Sequence, residues 1–190
     1  IADSIFRWWF FRYRKFVSSI ENRRKKILFV KLRNIVAHFK LLIINHVNES
    51  MNGFKITTPD NQEIKFQMYL DEAPVTSKAF VDILPFTRTF HHARVSGQEI
   101  WIDNVPQLDI IQENASIFTE PGEVVFGPTK PSRTKTANCF GIYYGEGKGL
   151  DACNIFARVI ESDRQKLIDL GNSIWKNGSQ DLMISAIDII

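Results

Sequence analysis

Two adjacent histidines, an arginine, a glutamate and a tryptophan fall within one short stretch, FHHARVSGQEIWI, residues 90–102. Together they offer a hydrogen-bonding ring, a fixed cation, a carboxylate and an apolar platform, which are the parts of a ligand cleft. Ser96-Gly97 reads as a two-residue turn between two β-rich runs. Val95 then faces Gln98, Arg94 faces Glu99, Ala93 faces Ile100 and His92 faces Trp101. Side chains alternate along a strand, so His92, Arg94, Glu99 and Trp101 are expected on one face. His91, Ala93, Ile100 and Ile102 are expected on the inward face. A slip that exposed Ile100 and Ile102 would cost about 3–6 kcal/mol, at 1.5–3 kcal/mol per side chain. The polar face has two readings. As an exposed ladder, its Arg94–Glu99 pair contributes ~0–1 kcal/mol. As a cleft wall, it uses Arg94 for a carboxylate or carbonyl, Trp101 as a platform and His92 as a pH-sensitive hydrogen-bonding group.

Other candidates are more dispersed. Glu113 and Asn114 precede a strand in QEN, where they suit either an Asx-type turn or a ligand contact. Tyr143-Tyr144-Gly145 ends a strand, so one tyrosine should face the core and the other a surface or cleft. GEGKG at 145–149 lacks the spacing and following helix of a dinucleotide fingerprint, and reads as a flexible hairpin tip. No serine or cysteine nucleophile motif is present, so covalent catalysis has little support. Cys139, Cys153 and the four histidines have no metal-ligand spacing, so neither a metal nor a cofactor is expected. The two cysteines read as reduced, buried thiols, which suits a cytoplasmic protein.

These residues belong to the second part of a chain with a sharp compositional break. Residues 1–50 carry 11 Lys and Arg against 3 Asp and Glu, and residues 51–190 carry 13 against 18. All 10 glycines and all 7 prolines lie after position 50. The first segment therefore reads as a basic, aromatic helical stretch. Leu28, Leu32, Ile35, Val36, Phe39, Leu42 and Ile43 recur at helical spacing. Charges interrupt every apolar run before the roughly 18 residues a membrane span needs. The segment has four readings: non-native or upstream sequence, a helix packed on the domain or a partner, an anionic membrane surface, or nucleic acid through Arg23–Lys26.

From Met51 the sequence reads as one domain, 51–190, with a core of its own. FKITTPDNQEIKFQMYL gives two strands around a Pro59-Asp60-Asn61 turn. A helix is predicted near 74–84, with Pro74 in its first turn, Pro85 after it, and Val75, Ala79, Phe80, Ile83 and Leu84 on its apolar face. Strands follow at 86–94, 98–103, 115–118, 123–127, 138–144 and 154–161. A second helix near 163–177 opens on a Ser162–Gln165 capping box, carries Leu167, Leu170, Ile174 and Trp175, and precedes a last strand, DLMISAI. Many short strands with two helices predict a mainly β fold: a closed antiparallel barrel with two capping helices.

The motifs that carry a resemblance sit in these elements. DEAPVTSKAFVDIL resembles the A-P-x-T-x-x-x-F helix of cyclophilins, and FHHARVSG falls where they carry F-H-R. LDACNIFARVIES is similar to their L-D-x-x-x-V-F-G-x-V close. Over 52–186 the chain more closely resembles an uncharacterised bacterial family of reduced cyclophilin-like barrels, through LPF…HA…SG…I, ENA…PGEV, YYG and N-F-A-R-V in that order. The resemblance implies a cyclophilin-like barrel and a site aligned with that of the proline isomerases. The family's arginine aligns with His92 and its later histidine with Asn154, while the loop bearing its tryptophan has no counterpart. Arg94 stands two residues from the arginine position. The function expected is therefore small-molecule binding or an accessory metabolic role without the standard isomerase site. A weak proline isomerase and a protein–protein adaptor are the alternatives. The candidate site comprises His92, Arg94, Glu99, Trp101, Glu113, Asn114, Tyr143 and Asn154. A small-molecule partner is expected and no nucleic acid for the barrel; a homo-oligomer stays open.

Overall fold

The computed structural model describes residues 51–130 and 135–189, together with 31 and 33–35. The chain divides into two compact units, Ile1–Val47 and Asn48–Ile190. Within the first, the few described residues are helical. The membrane, nucleic-acid and partner readings of residues 1–50 lie otherwise outside the described residues. Among those described, no helix is long and apolar enough to cross a membrane.

The second unit is an antiparallel barrel. Its strands are β1 (Gly53–Thr57), β2 (Glu63–Met68), β3 (Phe86–His92), β4 (Gly97–Ile102), β5 (Ala115–Thr119), β6 (Glu123–Phe126), β7 (Phe140–Val159) and β8 (Ser179–Ile187). The ladder runs β2-β1-β8-β3-β4-β7 and closes because β2 also pairs with β7, Phe66 opposite Val159. β6 pairs with both ends of the long β7, Val125 lying opposite Gly141 and Ile155, and β5 pairs along its middle. Closure leaves the ring no free edge. The two predicted strands 138–144 and 154–161 are thus one continuous run. GEGKG lies inside it and is no free hairpin tip: Lys148 N donates to Ser96 O at 2.8 Å and Gly147 pairs with Thr119.

Alternation fills the barrel. Phe54 and Phe66, opposite one another on β1 and β2, stack at 4.8 Å, and Ile56 and Ile64 follow on the same inward face. Helix α1 (Pro74–Asp82) contributes Phe80, whose ring lies 4.9 Å from that of Phe156 and 5.0 Å from that of Phe140. Such pairs add about 0.5–1.5 kcal/mol each beyond the area they bury. The buried face of α1 is Thr76, Ser77, Phe80 and Val81, rotated from the expected one, and Val75 is exposed. Thr76 can be buried because its hydroxyl accepts a hydrogen bond from Asn154.

Helix α2 (Arg164–Asn177) follows a 3₁₀ turn, Glu161–Asp163. The expected Ser162–Gln165 capping box does not form. Buried Asp163 instead fixes the start, accepting from Lys65 N at 2.9 Å and pairing with Lys166 Nζ at 2.7 Å. Leu167, Leu170, Gly171 and Ile174 face the barrel, whereas Trp175, expected among them, is 64% exposed.

Candidate functional site

The hairpin of β3 and β4 pairs one residue out of the predicted register. His91 lies opposite Trp101 and His92 opposite Ile100, and Ala93 N donates to Glu99 O at 2.8 Å. Ile100 and Ile102 are buried, as expected. The difference falls on β3, where Phe90 is fully buried and so takes the inward face with Phe86. The predicted register would have turned Phe90 outward, at a cost of about 1.5–3 kcal/mol. One contact and one backbone angle shape the longer turn: the Ser96 hydroxyl donates to Glu99 Oε2, and Gly97 adopts φ +102°.

This register separates the predicted patch. Glu99 and Trp101 share the outer face with His91 and Ala93, whereas His92 points inward with Phe90, at the barrel end under α2. There both ring nitrogens are engaged. Nδ1 lies 2.6 Å from Ala93 O, which can only accept, so Nδ1 carries the hydrogen; Nε2 lies 2.8 Å from the Tyr144 hydroxyl. The ring also packs against Trp175 at 4.5 Å. Both tyrosines of YYG are buried: Tyr144 in the main core, Tyr143 on the outer side with Val125, Cys153 and Ile155.

The outer faces of β4, β6 and β7 form the floor of a cavity of about 830 Å³. Glu99 and Tyr143 lie opposite each other on that floor, as do Trp101 and Gly141. Cys139, Cys153 and Leu150 add apolar wall, and the edge of His92 and exposed Trp175 close one side. Arg94 and Lys135 are exposed at its margin. Of the predicted site residues, the cavity therefore gathers His92, Arg94, Glu99, Trp101 and Tyr143.

Glu99 is only 8% exposed. Burial raises its pKa above the ordinary carboxylate value, while the hydroxyls of Ser96 and Tyr143 stabilise the charged form and oppose that rise. The predicted Arg94–Glu99 ion pair is absent among the described residues. Gly141 makes room for the carboxyl: a Cβ there would collide with Glu99 Oε1. Burial, with Glu99 beside it, pushes the Tyr143 hydroxyl up as well. The same desolvation pushes both thiols, Cys139 and Cys153, to about 11, so they stay protonated and weakly nucleophilic. Both cysteines are free, and among the described residues no cluster of histidine, cysteine or carboxylate could hold a metal ion.

Glu113, Asn114 and Asn154 stand apart from the cavity. Asn154 is fully buried with its amide consumed: Nδ2 donates to Thr76 Oγ1 at 2.9 Å and to Ile111 O at 2.8 Å, and Oδ1 accepts from Glu113 N at 3.1 Å. Glu113 Oε1 accepts from Thr76 N in the first turn of α1 at 2.5 Å. Asn114, at φ +43°, donates to Ile155 O. This network ties the segment after β4 to α1 and β7.

Residues 58–186 match the family described as protein of unknown function (DUF3830). The chain belongs to that family. No curated protein matches the sequence. The barrel is cyclophilin-like, as expected from the motifs. Among solved structures it is similar to McbB in complex with tryptophan, at TM-score 0.57 and 15% identity over 72% of this chain; the match spans only 45% of McbB. It is also similar to the solution structure of a hypothetical protein from Archaeoglobus fulgidus, at TM-score 0.50 and 16% identity, covering 73% of this chain and 96% of that one. A cyclophilin-type peptidyl-prolyl isomerase from Cryptosporidium parvum, solved with the dipeptide Ala-Pro, aligns at TM-score 0.49 and 17% identity, covering 73% and 98%. At these identities the likeness is one of fold.

Sequence reasoning missed Lys135, Cys139, Cys153 and Trp175 as cavity residues. Only Trp175 left a signal. It sits one position past Ile174, at the boundary of the apolar stripe of α2, where a large aromatic can lean out over a neighbour.

Proposed function

We propose that this barrel is a small-molecule-binding protein whose ligand is an organic anion with an aromatic or apolar body. The observation that carries the reading is the cavity of about 830 Å³ flanked by Trp101 and Trp175, with Arg94 and Lys135 at its margin. Its volume falls in the range of roughly 300–1,000 Å³ usual for such sites, and aromatic walls with few polar groups are their usual lining. The margin cations supply charge-assisted hydrogen bonds to a carboxylate. The free thiols suit the cytoplasm as its setting.

Proline isomerisation is the weaker reading. The position aligned with the cyclophilin arginine is His92, and both its nitrogens are engaged within the protein. The adaptor reading rests on residues 1–50.

The test is calorimetry with 3-phenylpropanoate, an aromatic ring joined to a carboxylate, alongside NMR of the Trp101 and Trp175 indole N–H signals. Both signals should shift on binding. The double substitution Arg94→Ala with Lys135→Ala should weaken binding roughly tenfold or more, since a hydrogen bond to a charged group contributes about 1.5–3 kcal/mol. Absence of binding at millimolar ligand, or binding that the double substitution leaves unchanged, would overturn the reading.

A further inference from the structure

We propose that Glu99 is the receptor for a cationic nitrogen on the ligand, so that the cavity takes amphoteric, amino-acid-like molecules rather than simple anions. The inference rests on the anion-binding reading of the same cavity and names the other end of its ligand. Glu99 is more than nine-tenths buried, yet it lines the cavity. Among the described residues no lysine, arginine or histidine lies within ion-pair distance of it. Its neighbours are hydroxyls: Ser96 donates to Oε2, and Tyr143 faces the same carboxyl from β7.

A carboxylate taken from water without a counter-cation is unfavourable, and a core built for stability alone would place an apolar side chain here. The fold instead holds this acid in place. Ser96 fixes one oxygen, and the bare Cα of Gly141 leaves space for the other. An ammonium group entering the cavity would supply a counter-charge that none of the described residues gives. The margin cations Arg94 and Lys135 would hold a carboxylate, and Trp101 an apolar side chain between the two charges. A zwitterion with an aromatic or large apolar side chain satisfies all three.

The experiment compares three ligands by calorimetry on the full chain: L-phenylalanine, 3-phenylpropanoate, which lacks the amine, and N-acetyl-L-phenylalanine, whose amine is uncharged. The wild type should bind phenylalanine roughly tenfold or more tightly than either analogue, the size of effect expected for a desolvated charge pair. Glu99→Gln should abolish that preference, and a circular dichroism spectrum like that of the wild type shows that the variant is folded. Equal affinity of the wild type for all three ligands would overturn the inference and leave the anion-binding reading standing. A preference for phenylalanine that persists in Glu99→Gln would overturn it too. Failure of all three to bind would overturn both readings. Should Glu99→Gln fail to fold, the wild-type comparison alone decides.

Discussion

The Tyr144 hydroxyl lies 2.8 Å from Nε2 of His92, and the ring of the same tyrosine occupies the space that a Cβ on Gly171 of α2 would need. A glycine within a helix normally costs about 1 kcal/mol relative to alanine. Here it lets α2 settle onto the barrel end. Gly171→Ala should therefore destabilise the protein by about 1–3 kcal/mol, the usual effect of overpacking, despite the better helix former. Tyr144→Phe should cost about 0.5–1.5 kcal/mol, through the lost hydrogen bond alone. Urea denaturation checks both. A stabilised Gly171→Ala variant would refute the close contact.

Glu99 gives a pH-dependent prediction whose sign follows from burial. Its folded-state pKa is raised, chiefly by desolvation, above the unfolded value of about 4.3. Between those values the folded chain holds a proton that the unfolded chain has lost. The stability this group contributes is thus complete below the unfolded pKa and is lost as pH rises through the folded one. Glu99→Gln should melt close to the wild type near pH 4 and above it at pH 8. Calorimetric melting across that range is the check, and equal melting temperatures at pH 8 would contradict it.

Asn154 should behave as a structural residue. Asn154→Ala strips fully buried Thr76 Oγ1 of its donor and removes the side-chain partners of Ile111 O and Glu113 N at the rim of the barrel. An unsatisfied buried group costs about 1–3 kcal/mol, and a loss of that size is expected in denaturant titrations. The variant that remains folded should bind cavity ligands as the wild type does. Weakened binding without lost stability would return Asn154 to the site.

Peptidyl-prolyl isomerisation of a proline-containing test peptide should proceed at the uncatalysed rate, and Arg94→Ala should change nothing. A clear acceleration abolished by Arg94→Ala would show that Arg94 has taken over the role of the absent arginine.

A chain beginning at Met51 should fold by itself, because the ring of strands and its buried phenylalanines lie within 53–187. Heteronuclear NMR of that fragment should give the dispersed spectrum of an antiparallel sheet. Collapse to a molten state with the full chain well folded would assign residues 1–50 to the core.

Much of the fold was legible in the chain itself, since it rests on local physics. Alternation marked Ile64, Phe66 and Met68 as one face of a strand, Pro74 and Pro85 bracketed α1, and the order of short strands and two helices called for a closed barrel. The burial of Ile100 and Ile102 follows because the alternative leaves two large apolar side chains in water. The motifs of FHHARVSG and LDACNIFARVIES carried the barrel type, and the family match is of the same kind. Tertiary packing decided what no local pattern encodes. The hairpin register turned on whether the barrel would bury Phe90 or expose it, a competition across strands that exchanged the roles of His91 and His92. The length of β7 turned on β5 pairing along its middle, which made a glycine-rich tip into strand. Above all, Glu99 and Trp175 lie far along the chain from Tyr143 and Cys153. Only the antiparallel pairing of β4 with β7, and the docking of α2 on Tyr144 through the bare backbone of Gly171, bring them round one cavity.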